Sequence, residues 1–330
     1  MFDVITFGSA TTDLFLKLNR GNFRIARNKT NNKNRDICFS LGSKLLVDDT
    51  AVFSGGGGTN TACSFSSLGF KTAYIGKVGA DTTSDIILAD LDRFKVSTIF
   101  LKKDKKRKTA SSVILSSPRD RTILIYKGAS HFLTKNEIAW GKIKKARLFY
   151  VSPLYGETAD LLPEIARFAR ENRIEIALNP SKEHLRAGKD KLHPVLALVD
   201  ILILNMTEAA MLTGISQDKP VEILKELRYL CSGVIVITRG IKGVIVSDGK
   251  QVFNAKTNTK IKIKEKTGAG DAFGSAFTAG LLEKNSIEYA IRLGIANSES
   301  CIQQIGAKNG LLKKSKKTKL PNYQITKTSI

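Results

Sequence analysis

Short runs that are apolar at nearly every position recur along the chain, at residues 4–7, 73–75, 148–151, 174–178, 201–204, 234–238 and 243–246. A strand that is apolar throughout, rather than at alternate positions, is one buried on both faces. Between most of these runs the period lengthens to that of a helix. Leu161, Ile165 and Phe168 share one helical face, and Val221, Leu224, Leu227 and Leu230 share another. Strand and helix alternating over this length predict an α/β fold, with a central, mostly parallel sheet covered by helices on both faces.

The alternation breaks in two places. Residues 110–115 and 122–126 are strand-like around the turn Ser116-Ser117-Pro118-Arg119-Asp120, a hairpin with no crossover helix. Residues 37–52 are strand-rich and also lack a helix. Together these pieces predict a small β subdomain inserted into the α/β core. No internal repeat is visible. Residues 313–330 are polar and basic, and are expected to form a mobile tail that buries little. The main domain is then 1–312.

Composition narrows the picture. In 330 residues with 42% hydrophobic content a sizeable core is available, which argues against global disorder. No apolar run approaches the ~18 residues of a membrane span. The opening MFDVITFGSA has neither a basic leader nor a cleavage site, so a cytoplasmic protein is expected. Four cysteines without a CxxC pair and three histidines without metal spacing predict free thiols and no zinc site. The formal charge of +23 is concentrated in 20–35 and 313–319. A nucleic-acid binder carries such charge, as does an enzyme acting on phosphates. Neither segment interleaves aromatics with its charges as a single-strand platform does, which argues against nucleic acid as the main partner.

Two glycine runs carry candidate chemistry. In Thr267-Gly268-Ala269-Gly270-Asp271 small residues precede a helix starting near Asp271. Small residues admit close approach of a ligand, and free amides at a helix N-terminus favour an anion. A carboxylate beside them can take a proton from an attacking hydroxyl while the amides hold charge on a transferred phosphoryl group. Read alone, the segment is equally a strand-to-helix turn with Asp271 as N-cap. The second run, Ser54-Gly55-Gly56-Gly57-Gly58-Thr59-Asn60, lacks the Gly-Lys-Ser/Thr of a Walker loop and is a poor dinucleotide fingerprint.

The order of the motifs is more specific than either run. Gly-Gly-x-Gly-x-Asn-x-Ala at 55–62, Leu68-Gly69, Gly76-x-Val78-Gly79 and Thr267-Gly-Ala-Gly-Asp271 resemble the PfkB carbohydrate kinase family. So do the opening Gly8–Asp13, Asn205-x-x-Glu208 and Thr238-x-Gly240-x-x-Gly243. The resemblance covers about 1–310 and implies a ribokinase-like fold whose β subdomain is a discontinuous lid, near 13–18, 37–53 and 100–127. It implies an ATP-dependent kinase acting on a hydroxyl of a sugar or sugar-like molecule. Asp271 would be the base, with Gly268, Ala269 and Gly270 lending amides. Asp13, Gly56, Gly57 and Asn60 would bind the acceptor. Asn205, Thr238, Gly240, Gly243 and Asn297 would line the ATP site. Glu208 and Asn205 would hold Mg²⁺, largely through water. Exposed lid strands would offer a homodimer contact.

Departures from the family pattern bear on the acceptor. Gly57 stands where ribokinases carry Lys, and Ser152-Pro153 where they carry an acidic sugar ligand. Glu265-Lys266-Thr267 replaces the usual Asp-Thr before the Gly-Ala-Gly-Asp run. These changes argue against ribose and against the family's monovalent-cation site. A nucleoside kinase of the adenosine type is the second expectation, since Gly57 leaves room for a larger acceptor. A non-catalytic sugar sensor would not need the intact Gly268–Asp271 run.

Overall fold

The protein is described here by a computed structural model, which covers residues 1–19, 21, 23–27, 35–116, 121–316 and 320–329. Strand β1 (Val4–Phe7) leads into β2 (Thr11–Leu18), β3 (Arg24–Arg27), β4 (Arg35–Cys38) and β5 (Val47–Gly55). Helix α1 (Gly57–Ser67) returns the chain to β6 (Thr72–Ile75) and β7 (Lys77–Gly79). After α2 (Thr82–Arg93) come β8 (Lys102–Asp104), β9 (Ala110–Ser116) and β10 (Arg121–Tyr126). The next stretch comprises α3 (Trp140–Ile143), β11 (Leu148–Val151), α4 (Leu162–Glu171), β12 (Glu175–Leu178), α5 (Lys182–Arg186) and α6 (Lys189–Leu196). Then follow β13 (Ile201–Asn205), α7 (Met206–Thr213), α8 (Pro220–Leu230), β14 (Val234–Thr238), β15 (Val244–Ser247) and β16 (Gln251–Ala255). The chain closes with α9 (Ala269–Lys284), α10 (Ile287–Ile302) and β17 (Ile325–Ser329).

Nine strands form one sheet in the order β17-β16-β15-β14-β13-β12-β11-β1-β6. Pairing is parallel from β6 to β14 and antiparallel from β14 to β17. The two-residue period of a strand sorts its apolar side chains onto both faces. Phe149 and Val151 of β11 join a core built with Ile165 of α4, Leu192 of α6 and Ile223 of α8. Leu148 and Tyr150 point the other way, to Phe65 of α1, Phe273 and Phe277 of α9 and Leu293 of α10. On α8 the buried stripe is Ile223, Leu224, Leu227 and Leu230. Val221, expected on that face, is exposed and borders a surface cavity with Leu224, Ile245, Val252 and Thr328.

A second sheet, β10-β9-β2-β5, is the expected inserted subdomain. It uses 11–18, 47–55, 110–116 and 121–126; the 100–108 stretch instead supplies β8, which pairs with β7. The hairpin turn at 117–120 and most of the basic 20–35 segment, positions 20, 22 and 28–34, lie outside the described residues. The arms of that segment pair as β3 and β4. All four cysteines are free thiols. Among the described residues no helix is long and apolar enough to cross a membrane.

The tail departs from expectation. Of 313–330, residues 325–329 are not a mobile end but the edge strand β17, with Ile325 opposite Ala255 and Ser329 opposite Gln251. Tyr323 is buried, and its hydroxyl donates to Glu299 Oε2 at 2.8 Å. The basic composition hid a strand-forming Ile-Thr-Lys-Thr-Ser run, whose lysine faces solvent and pairs with Glu288. Removal of 320–330 is therefore expected to uncover the β16 edge and to cost about 2–4 kcal/mol, mostly from the Tyr323 anchor. A thermal melt of the truncated chain checks this; an unchanged Tm would mean the strand adds nothing.

Candidate active site

The loops that leave the C-terminal ends of the parallel strands converge on one edge of the large sheet, where open α/β sheets bind their ligands. Gly8–Ala10 follow β1, Ser152-Pro153 follow β11, Asn205 ends β13 and Thr238 ends β14. The lid sheet rises from the same edge, because β2 continues directly out of the β1 loop and β5 runs back into α1.

At the centre Asn60 Nδ2 donates to Asp271 Oδ2 at 2.8 Å, across 211 positions of sequence. Asn60 lies in the first turns of α1 and Asp271 in the first turn of α9. The N-cap of α9 is Gly268, in the left-handed region at φ 78°, so Asp271 is not the cap. Burial pushes the Asp271 carboxyl above the usual carboxylate range, opposed by the Asn60 hydrogen bond and by the charge of Lys308. A carboxylate raised in this way is a better proton acceptor than a free one. The Ala272 amide closes the first turn onto Gly268 O at 2.8 Å, and the Ala269 amide turns back to Lys266 O at 3.3 Å. Of the three residues expected to lend amides, Gly268 is the N-cap, Ala269 is already engaged, and Gly270 holds, with Asp271 beyond the expected three, the first-turn amides that a helix cannot itself satisfy.

Asp13 is buried on β2. Its Oδ1 accepts from Ser112 Oγ at 2.6 Å on the neighbouring β9 and from Thr11 Oγ1 at 3.2 Å. Burial raises its pKa, against those two hydrogen bonds and the Lys308 charge. Gly57 marks the space between the two carboxylates and the core. A Cβ there would stand 3.0 Å from Ser152 Cβ and 3.5 Å from Asp271 Oδ1 and Pro153 Cδ. Any side chain at 57 would enter the space over Asp271. Ser152 itself is buried, with its hydroxyl on Thr61 Oγ1 at 3.2 Å, so this wall presents little bulk.

On the other side of Asp271 two adjoining cavities open. One of about 310 Å³ is lined by Asn205, Thr238, Gly240 and Gly243 together with Ala269 and Gly270. The second, about 860 Å³, shares Asn205, Thr238 and Gly240 and adds Glu208, Lys182 and Lys242. Asn205 and Glu208 form a reciprocal cap. The Glu208 amide donates to Asn205 Oδ1 and the Asn205 amide to Glu208 Oε2, both at 2.9 Å. Burial raises the Glu208 carboxyl, against hydrogen bonds from Asn205 and Asn179. One carboxylate with amide oxygens beside it is a hard-oxygen set suited to Mg²⁺ that keeps its waters.

Asn297 does not belong to this site. It is fully buried, donating to Ala272 O at 2.8 Å and Ser64 Oγ at 3.0 Å and accepting from the Leu312 amide at 2.8 Å. Every polar atom of its amide is used to bind α10 to α9, α1 and the following segment. Its neighbours Ile295 and Ser298 line the cavity instead.

The fold also brings residues distant in sequence to this region. Arg121 of the lid pairs with Glu265 Oε1, which also accepts from the Thr267 amide at 2.9 Å and Thr267 Oγ1 at 2.6 Å. This ties the lid to the loop before α9. Lys127, the other basic residue flanking that lid strand, stands 3.9 Å from Glu183. Lys308, Ser112 and Ser54 are buried around the glycine run. Ser54 opens the glycine run itself, whereas Lys308 and Ser112 sit in no motif and only folding brings them to it.

The chain is similar to known proteins over most of its length. Residues 31–314 match the model of the pfkB family carbohydrate kinases. A ribokinase of Lactococcus lactis is 31% identical over 292 residues, covering 87% of this chain and 92% of its own. An adenosine kinase of Saccharomyces cerevisiae is 25% identical over 300 residues, covering 83% and 85%. Among solved structures, Arabidopsis thaliana ribokinase complexed with ribose and ATP superposes with a TM-score of 0.79 at 19% identity, over 96% of this chain and 98% of that one. A putative ribokinase II of E. coli in complex with ATP and Mg²⁺ gives 0.80 at 18% identity, over 96% and 98%.

Proposed function

This chain belongs to the pfkB family of carbohydrate kinases, phosphotransferases with an alcohol group as acceptor, and on that premise we propose that it transfers the γ-phosphate of ATP to a hydroxyl of a sugar or sugar-like small molecule. The observation that carries this reading is the Asn60–Asp271 contact. It supports the reading because the buried carboxylate follows directly on Ala269 and Gly270, which line a cavity with Asn205, Thr238, Gly240 and Gly243.

The roles follow from position. Asp13, with Gly56, Gly57 and Asn60 beside it, binds acceptor hydroxyls under the lid. Asp271 accepts the proton of the attacking hydroxyl, and its orientation is fixed by the Asn60 amide. The first-turn amides of α9, with the positive end of its dipole, hold negative charge on the transferred group. Thr238, Gly240 and Gly243 follow the triphosphate. Glu208 and Asn205 hold Mg²⁺ through water, and the ion neutralises phosphate charge when bound. Closure of the lid, with Arg121 on Glu265, excludes water from the reaction.

A second reading, a nucleoside as acceptor, is favoured by one feature, the low wall of Gly57, Ser152 and Pro153 beside Asp271. A screen of ATP-dependent turnover over ribose, fructose, 2-keto-3-deoxygluconate, adenosine and other nucleosides separates the two. Turnover on none of them, with ATP bound, would leave the sensor reading in place. The outer lid strand, at the edge of its sheet, exposes Ile123, Leu124, Ile125 and Tyr126 on its two faces, and we read this edge as the contact for a second copy. Sedimentation velocity would then give twice the mass of the chain, and a monomer at micromolar concentration would refute it.

A further inference from the structure

Lys308 is buried, in the loop that follows α10. Its ammonium donates to Ser54 Oγ and, at 3.0 Å, to Thr59 Oγ1. Among the described residues no carboxylate lies within ion-pair distance of it. Lysine is almost never fully buried without a paired anion, because desolvating the charge is costly. Nor does this charge serve its nearest helix, since Thr59 lies in the first turn of α1, where a cation opposes the dipole. The loop is nonetheless built to deliver it. Gly306 adopts φ 87° against the Phe53 ring of the lid, Ala307 packs on Gly268, and Ala307 O accepts from Cys301 Sγ at 3.4 Å.

The two hydroxyls it holds lead to both halves of the site. Thr59 Oγ1 in turn donates a hydrogen bond to Gly55 O at 2.7 Å, and Thr59 is followed by Asn60, the partner of Asp271. Ser54 Oγ donates to Asp90 Oδ2 at 2.6 Å and lies opposite Thr12 in the lid sheet, next to Asp13. We propose that Lys308 is a positioning residue: a fixed internal cation beneath the glycine run that locks Ser54 and Thr59, and through them holds Asp13 and the Asn60–Asp271 pair in the geometry and charge state that phosphoryl transfer needs. This rests on the assignment of Asp271 as base.

The charges around it are few. Burial lowers the Lys308 pKa, and the Cys63 thiol, Asp90, Asp13 and Asp271, facing it from α1, α2, β2 and α9, oppose that shift and favour the ammonium, with Arg93 next to Asp90. Around Asp271 stand Lys308, Tyr150, Tyr155 and Cys301. Lys308 is the cation that lowers the Asp271 carboxyl against the effect of burial.

The test compares wild type with Lys308→Gln, whose amide can still donate to both hydroxyls, and Lys308→Met. Folding is checked by circular dichroism and thermal melting. We expect kcat to fall roughly 10- to 100-fold from misplacement of the reacting groups, ATP affinity to stay within a few-fold, and the acid limb of kcat/KM to move to higher pH as Asp271 loses its cation. A purely structural lysine would change Tm and the fraction of active protein, but not the position of that limb. Folded Lys308→Gln with wild-type kcat or an unmoved acid limb would overturn the proposal. Should neither variant fold, Thr59→Val, which removes one anchor and keeps the charge, is expected to lower kcat with the acid limb in place; wild-type kcat would overturn the positioning. Failure of the underlying reading looks different, since Asp271→Asn would then remain active in the wild-type background.

Discussion

Asp271→Asn is expected to lower turnover by about 10²- to 10⁴-fold at saturating substrates, the usual worth of a general base. Asparagine keeps the shape and can still accept the Asn60 hydrogen bond, so the α1–α9 contact survives. ATP affinity should hold within a few-fold, because the cavities proposed for the nucleotide are lined by other residues. Thermal stability should hold or rise, since a buried carboxylate without an ion-paired partner is replaced by a neutral amide. In the wild type, burial holds the Asp271 pKa up. The base is therefore lost by protonation as pH falls through a value above the ordinary range for aspartate, and the acid limb of kcat/KM should sit there. The mutant's residual rate should lack that limb. Turnover within a few-fold of wild type would remove Asp271 from the chemistry.

Gly268→Ala carries the next largest effect. Gly268 sits at φ 78°, where a Cβ costs about 1–2 kcal/mol. The added methyl would lie 2.4 Å from Ala307 Cβ and 2.8 Å from Ala307 Cα. The second contact is backbone, so either the α9 start or the 305–310 loop must shift. Both bear on the reaction: one sets the first-turn amides and Asp271, the other carries Lys308 under the glycine run. Displacement of such groups by about 1 Å costs on the order of 10²-fold in rate. We expect kcat reduced by 10²-fold or more, with a loss of about 1–3 kcal/mol in stability read by chemical denaturation. A stable, fully active Gly268→Ala enzyme would mean that the tight seating of this turn is not needed.

The two sites differ in how they could be read. Asp271 and Gly268 stand in a local run that by itself reads equally as a strand-to-helix turn, and it was the order of this run with the other motifs along the chain that marked them. The same holds for Asn205-x-x-Glu208, where cap and acid lie three residues apart. Asn297 misled for the opposite reason. An asparagine in a helix carries no local sign of whether it faces a cavity or the core, and here three partners consume it.

The sequence alone determined the parallel core of the sheet, since runs apolar at every position can be satisfied only between two layers of helices, and it marked the inserted β subdomain, because two strand-rich stretches there interrupt the alternation of strand and helix. It also marked the two glycine runs, where missing side chains leave room for a ligand. Tertiary structure decided the rest. The tail became an edge strand because β16 offers unpaired backbone groups that Ile325–Ser329 can satisfy, and composition does not register an open edge. Arg121 met Glu265 across 144 positions, and Lys308 met Thr59 across 249. Burial of a charge depends on what the whole chain packs around it, and no window of sequence contains that.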